Sequence, residues 1–195
     1  LTTIDIQYNT NVAKSDWYVP VYPATDGALV FGILSEVIAQ GWQDSEFLRA
    51  HTEAPFLVKE DNTFLRMSDL GVPAKEGPVN AMTGKPTVID PEVVWDEATQ
   101  SVKPYSEAEM PALEGMPEEI EGFRIRPVWS MILEAISAWT PERASETCGV
   151  PVEDIKRLAR MYGQEGPVLT GMNQGLNHYF NAIHTYDSIF TLLLI

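Results

Sequence analysis

The chain has 195 residues, of which 28 are acidic and 13 basic, and its formal net charge is −15 at pH 7. A hydrophobic fraction of 45% is enough to form a core and excludes wholesale disorder. The negative charge argues against binding to nucleic acid or insertion at an anionic membrane surface, because both partners are also negative. The single cysteine, Cys148, excludes an internal disulfide and a multi-cysteine metal site within these residues.

The first quarter of the chain alternates between strands and helices. β-branched and aromatic residues predict two strands, and apolar residues at helical spacing predict a long, largely buried helix followed by a short one. Thr25 or Asp26 is the expected N-cap of the long helix, and Gly41 is its expected stop. The predicted strands cover residues 1–7 and 16–22, and the predicted helices cover residues 28–38 and 44–51.

The middle of the chain, at about residues 55–122, is predicted as an irregular excursion from the main fold. Two β-prone runs, 56–59 and 63–67, flank three polar residues and predict a small hairpin. Residues 68–91 are rich in Gly and Pro and are predicted as loop, and a strand is expected over 92–96.

The excursion is also strongly acidic. Residues 86–122 contain ten acidic side chains and one basic side chain. Such a segment is typical of a solvated surface, and a docking patch for a basic partner is the alternative.

Regular structure is expected to resume after residue 122. Apolar periodicity and cap residues predict three helices, then a short strand, a Gly-containing segment over 171–178 and a final helix. Units of strand and helix on both sides of the excursion predict an α/β fold with a parallel sheet, as a single domain over residues 1–195. The three helices cover residues 127–138, 141–148 and 150–163, and the strand covers residues 167–170.

Ligands of doubly wound α/β folds bind where strands end and helices begin, and three segments occupy such places. Asp5, at the end of the first strand, could hold the two hydroxyls of a ribose or cap a turn. Asp26 could accept two hydrogen bonds from the N1–H and N2–H edge of guanine, although helix capping also explains an acid there. In the third segment, glycines allow backbone to approach a phosphate or a flat ring, and Gln174 and His178 lie four residues apart.

No motif for catalysis is present. The chain lacks the glycine-rich phosphate-binding motifs, the HExxH metal motif and the GxSxG nucleophile elbow. The three histidines do not have metal-ligand spacing, and Cys148 has no base near it in the sequence. We therefore predict no catalytic and no metal-binding residue here, and we expect the chain to be inactive by itself.

These segments, in this order and spacing, resemble the catalytic subunit of the molybdopterin oxidoreductases of the dimethyl sulfoxide reductase family. In that family a strand and an Asp-containing turn precede an Ala-Asp pair, a second strand and a Pro-Gly-Thr-Asp turn before an Ala- and Leu-rich helix. The resemblance covers nearly the whole chain. The segments that carry it are Ile4-Asp5-Ile6-Gln7-Tyr8-Asn9, Ala13-Lys14-Ser15-Asp16, Pro23-Ala24-Thr25-Asp26, Pro55-Phe56-Leu57-Val58, Thr140-Pro141-Glu142-Arg143-Ala144, Thr147-Cys148-Gly149-Val150-Pro151 and the Gly171–His178 element.

The resemblance implies a Rossmann-like domain, a parallel sheet flanked by helices, that holds one of two molybdopterin guanine dinucleotides around a molybdenum or tungsten ion. Asp26 would read the guanine edge, and Gln174 and His178 would approach the pterin. The other implied cofactor-binding residues are Asp5, Ile6, Gln7 and Asn9 around the guanosine, and Ala24 and Thr25 through backbone and hydroxyl contacts. A [4Fe–4S] cluster and the metal ligand would lie before residue 1.

Three departures from the family pattern affect these expectations. Ala24 stands where Gly is usual, and Ile6-Gln7 replaces the frequent Pro-Arg, so a common basic contact is absent. Residues 178–182 read His-Tyr-Phe-Asn-Ala in place of Gln-His-Thr-Asn-Gly, which weakens the assignment of His178 to the pterin.

The chain begins with Leu and ends in an apolar run over 188–195. We interpret it as an internal piece of a larger protein, with a last helix that docks into the core as the alternative. Its expected partners are then an iron–sulfur electron-transfer protein of the same complex and the remainder of the catalytic subunit. No signal for a compartment is present, and the bacterial periplasm and the cytoplasm both fit.

Two other functions stay open at this point. The chain could be a noncatalytic, acidic protein-interaction domain on an α/β scaffold, in which residues 86–122 govern partner binding. It could also be a domain that binds a free guanine nucleotide.

Overall fold

The computed structural model describes all of residues 1–195 and divides them into two compact units. The first unit consists of residues 1–44 and 135–195, and the second consists of residues 45–134. Helices and four small sheets make up the chain, so its fold is mixed α/β. The predicted excursion, 55–122, lies inside the second unit.

The first unit contains one pair of parallel strands, β1 (Thr2–Asp5) and β2 (Trp17–Pro20). This pair is all of the predicted parallel sheet that the structure shows. The prediction of a strand over 167–170 is wrong: the segment has no regular secondary structure and pairs with no neighbouring strand, and a strand requires a partner for its backbone groups. Pro167 also lacks the N–H that a ladder would use.

The first unit also contains four helices, of which the long predicted helix is central. Helix α1 (Asp26–Ala39) packs against α4 (Pro141–Cys148), α5 (Val152–Gly163) and α6 (Ala182–Leu194). Its inward side chains are fully buried because three neighbours cover them, and they form most of the core of this unit. The buried residues of α1 are Ala28, Leu29, Val30, Gly32, Ile33, Leu34 and Val37.

The ends of the helices follow the local sequence. Helix α1 stops before Gly41, which has φ of +69°, as predicted. Thr140 caps α4, since its hydroxyl accepts the Arg143 N–H at 3.3 Å, and Gly149 ends that helix with φ of +77°. Thr25 stands at the N-cap of α1, but its hydroxyl donates to the Tyr22 carbonyl at 2.7 Å and does not cap the helix.

Gly32 allows α1 to approach α4 closely. A Cβ atom at this position would lie 2.5 Å from Cβ of Ala144 and 3.3 Å from Cγ2 of Ile155. Both neighbours are buried helix residues, so neither can move away without shifting its own helix.

We predict that Gly32→Ala lowers the free energy of unfolding by about 1–3 kcal/mol through overpacking, although alanine normally favours a helix. Urea denaturation monitored by circular dichroism measures this. Gly171→Ala is the control, because a Cβ at Gly171 meets no atom within 4 Å. Equal stability of the two variants would contradict the prediction.

The second unit contains antiparallel strands and two helices. The predicted hairpin is confirmed in part. The Leu65 N–H donates to the Leu57 carbonyl, and Val58 forms a β-bridge with Phe64. The main ladder of the strand at 57–59, however, is with the strand at 123–127. The predicted strand over 92–96 is confirmed as β6. The elements are α2 (Ser45–His51), β3 (Leu57–Lys59), β4 (Lys75–Val79), β5 (Pro86–Ile89), β6 (Val93–Asp96), β7 (Ser101–Pro104), β8 (Glu119–Ile120), β9 (Phe123–Pro127) and α3 (Val128–Ser137).

Strands β4 and β5 correct the prediction of a loop over 68–91. They form an exposed antiparallel hairpin with an irregular register around Gly77 and Pro78. Glycine and proline argued against strands there, but an exposed two-stranded ladder tolerates proline because its outer N–H positions need no partner.

Asp96 is buried although it belongs to the acidic segment that was predicted to be solvated. Its carboxylate accepts hydrogen bonds from Lys103 Nζ at 2.7 Å, Met110 N at 2.8 Å and Thr99 Oγ1 at 2.8 Å. The hydrogen bond from Lys103, followed by the one from Met110, holds the pKa of the Asp96 carboxyl well below its ordinary value. Three positions that follow β6, at residues 99, 103 and 110, are thus hydrogen-bonded to one carboxylate.

We predict that Asp96→Asn destabilises the second unit at neutral pH, because Lys103 then faces a neutral amide. A lowered carboxyl pKa stabilises the fold above the ordinary value, about 3.9, and this contribution disappears as the pH falls through the lowered pKa. The difference in urea denaturation midpoint between wild type and variant should therefore be largest at pH 7 and become small only in strong acid. Glu76→Gln, at an exposed position of β4, is the control; a gap for Asp96→Asn that is independent of pH would contradict this.

No helix of the chain is long and apolar enough to cross a bilayer.

Candidate functional site

The first unit contains a cleft of about 530 Å³. One wall is the turn after β1 and the start of α1, and a second wall is the segment 170–176. The floor is apolar and comes from α1 and α6, through Leu29, Val30, Ile33, Ile189 and Leu192. A cleft with an apolar floor and polar groups at its edge suits a flat ligand with polar edges.

Six of the nine predicted cofactor-binding residues line this cleft together. Asp26, the residue predicted to read guanine, faces the same space as the turn at Asp5 and the segment at Gln174. The six are Asp5, Ile6, Gln7, Asn9, Asp26 and Gln174. Ala24, Thr25 and His178 do not line it. Cofactor binding by all nine residues stays a prediction.

The carboxylate of Asp5 closes the turn after β1. It accepts the Gln7 N–H at 3.3 Å and the Asn9 side-chain amide at 2.7 Å. The Asp5 carbonyl accepts the Tyr18 hydroxyl at 3.2 Å, which anchors the turn to β2. The turn-capping alternative is therefore observed for Asp5, and the same bonds hold its carboxylate in place at the cleft.

Asp26 is different, because no other residue donates a hydrogen bond to its carboxylate. It is the first residue of α1 and not the N-cap, so helix capping does not account for it. Burial raises the pKa of the Asp26 carboxyl, and the nearby charge of Asp5 raises it further, against the effect of its own backbone amide. The cleft thus holds a partly desolvated carboxylate whose hydrogen-bonding capacity is largely unused.

The three predicted residues outside the cleft have other contacts. Ala24 has φ of +67°, and its carbonyl accepts the side-chain amide of Asn181 at 3.1 Å. Thr25 bonds the Tyr22 carbonyl. His178 is exposed at the end of a short 3₁₀ turn that begins at Gln174.

Sequence reasoning missed the residues that hold the second wall. The Tyr162 hydroxyl lies 2.8 Å from Thr170 Oγ1, and the Tyr186 hydroxyl donates to the Asn173 carbonyl at 3.5 Å. Tyr162, Thr170 and Asn173 themselves line the cleft. The helical periodicity placed both tyrosines on helices, but only the fold shows that their hydroxyls reach this segment.

The chain was compared with known proteins, and no family model matches it. It is 30% identical over 154 residues to a sulfite dehydrogenase subunit of Allochromatium vinosum, covering 77% of this chain and 15% of that protein. It is 28% identical over 206 residues to the alpha subunit of perchlorate reductase from Dechloromonas aromatica, covering 92% of this chain and 22% of that protein. Acetylene hydratase from Pelobacter acetylenicus has the same fold, with a TM-score of 0.56 at 12% identity, over all of this chain and 16% of that one.

The chain belongs to the molybdopterin oxidoreductases of the dimethyl sulfoxide reductase family. The resemblance found in the sequence is thereby confirmed. The chain spans between 15% and 22% of the length of these relatives. For the complete enzyme, membership of this family implies a molybdenum or tungsten ion held by a pterin. Within this chain, no three His, Cys, Asp or Glu side chains come together as a metal-binding group.

We predict that Asp26→Asn stabilises this molybdopterin oxidoreductase chain at neutral pH when no ligand is bound. A raised carboxyl pKa means that the fold is most stable below the ordinary value, about 3.9, and loses stability as the pH rises through the raised pKa. Asparagine does not ionise, so the variant should not lose stability over this pH range. Urea denaturation should give equal stabilities near pH 3 and a more stable variant at pH 7; a less stable variant at pH 7 would contradict the desolvation of Asp26.

Proposed function

We propose that this chain holds one molybdopterin guanine dinucleotide of a bis-pterin molybdenum or tungsten oxidoreductase, with the guanine at Asp26. The observation that carries the proposal is the unpaired, partly desolvated carboxylate of Asp26 in the cleft that Asp5 and Gln174 also line.

The donor and acceptor pattern of this wall fits guanine. Guanine presents two neighbouring N–H groups, and a carboxylate presents two oxygens that can accept both at once. Such a charge-assisted pair is strongest where water is excluded, and Asp26 lies above the apolar floor at Leu29 and Ile33. Bound guanine would replace the hydrogen bonds with water that the Asp26 carboxylate lost on burial.

The second wall fits the remainder of the dinucleotide. The two phosphates are negative and must stay away from Asp5 and Asp26. Gly171 and Gly175 leave open space where a side chain would be, so their backbone can come close to a phosphate or the pterin. Gln174 lies between them and faces the cleft, which suits the pterin end of the ligand.

When bound, the metal and its pterins supply two-electron redox chemistry. The residues of this chain bind and orient the dinucleotide: Asp26 fixes the guanine, the Asp5 turn holds the ribose, and the apolar floor excludes water from the ring. The substrate is then turned over at the metal and not in this cleft.

The larger setting of the chain is part of the same proposal. The relatives are named as reductase and dehydrogenase subunits, and this supports an oxidoreductase that works with partner subunits. We further propose that a [4Fe–4S] cluster lies elsewhere in the complete protein. The pair β1 and β2 would belong to a larger, Rossmann-like parallel sheet in the complete enzyme.

We predict that the full-length protein contains molybdenum or tungsten and releases a guanine nucleotide after acid hydrolysis. Asp26→Asn should lower its guanine content at least about tenfold, because hydrogen bonds to a charged group contribute roughly 1.5–3 kcal/mol each and 1.4 kcal/mol is a factor of ten. Metal analysis and chromatography of the released nucleotide measure both quantities.

Asp187→Asn is the matched control, since Asp187 is an acid of α6 that does not line the cleft. Absence of both metals and of pterin would overturn the proposal. Tight binding of free guanine nucleotide by a pterin-free protein would instead support the nucleotide-binding alternative.

A further inference from the structure

Asn181 connects two segments that are 157 residues apart in the sequence. Its side-chain nitrogen donates to the carbonyl of Ala24 at 3.1 Å. Asn181 immediately precedes α6, and Ala24 lies two residues before Asp26. The bond therefore ties the start of α6 to the turn that carries Asp26.

While Asn181 forms this bond, its side-chain oxygen makes no hydrogen bond, and the usual N-cap interaction is absent. Asparagine at an N-cap normally accepts a backbone N–H of the first helical turn, but Asn181 makes no such cap. Its side-chain oxygen is buried and has no hydrogen-bond partner. Buried polar atoms without partners are rare in folded proteins, and one that persists beside a functional turn indicates that another requirement fixes the side chain.

The turn at Ala24 supplies that requirement. Ala24 has φ of +67°, a left-handed conformation that costs free energy for any residue with a Cβ. In this conformation the Ala24 carbonyl accepts a hydrogen bond from the Asn181 side-chain amide. Without it, the turn could relax to negative φ, and such a change would rotate the chain just before Asp26.

We propose that Asn181 is a positioning residue that sets the place of the Asp26 carboxylate in the cleft. The inference rests on the proposed function, because positioning matters only if Asp26 binds the guanine. Asn181 itself does not line the cleft and acts through the Ala24 carbonyl.

The test is Asn181→Asp in the full-length protein. Aspartate has nearly the same shape but no N–H, and its charge would face the Ala24 carbonyl oxygen. We expect the guanine content per protein to fall at least about tenfold, as for Asp26→Asn, while the melting temperature changes little. Asn80→Asp is the matched control, because the side chain of Asn80 only accepts hydrogen bonds, from Met82 N and Thr83 N, and aspartate can do the same.

A second variant separates positioning from a general structural role. Glycine adopts a left-handed conformation without strain, so Ala24→Gly should hold the turn without the bond. In the Asn181→Asp background it should restore guanine content at least in part. A fall in melting temperature that Ala24→Gly does not reverse, together with unrestored guanine content, would overturn the proposal in favour of a structural role.

The two proposals fail in different ways. If Asp26→Asn lowers the guanine content and Asn181→Asp does not, the positioning role is wrong and the proposed function stands. If Asp26→Asn has no effect, the guanine site is wrong and the role of Asn181 falls with it.

Discussion

Close packing of α1 against three other helices is the constraint on which the first unit depends. Gly32 lets α4 approach to a distance that no side chain would permit, and the buried face of α1 forms the core. The same helix supplies the cleft with part of its floor and, at its first residue, with Asp26. The core therefore fixes the helix that carries this carboxylate, and a shift of α1 would move Asp26 with it.

The cleft keeps Asp26 in an environment that disfavours its charge when nothing is bound. Its neighbour Asp5 has satisfied its oxygens within its own turn, whereas Asp26 has not. The Asp5 carboxylate thus forms the turn, and the Asp26 carboxylate keeps hydrogen-bonding capacity for the ligand that we propose. Binding energy is larger at such a site, because a donor from the ligand relieves a cost that the folded protein already carries.

Local signals in the sequence were sufficient for α1, its stop at Gly41 and the cap at Thr140, because each depends on neighbouring residues. Six of the nine predicted site residues share a cleft because strand ends and helix starts meet in this fold. Three features were missed because the local signals pointed the other way. Glycine and proline argued against the β4–β5 hairpin, the acidic surroundings of Asp96 argued for exposure, and the apolar run at 167–170 argued for a strand. The bond from Asn181 to Ala24 is the extreme case, and only the three-dimensional structure shows it.

The two walls of the cleft are built by different means. The wall with Asp5 and Asp26 belongs to a strand ladder and a core helix, while the segment 170–173 is held by the hydroxyls of Tyr162 and Tyr186. Separating two hydroxyl contacts costs far less than unzipping a ladder. The cleft is consequently held by a cooperative ladder and a core helix on the side of Asp26, and by isolated side-chain contacts at 170–173.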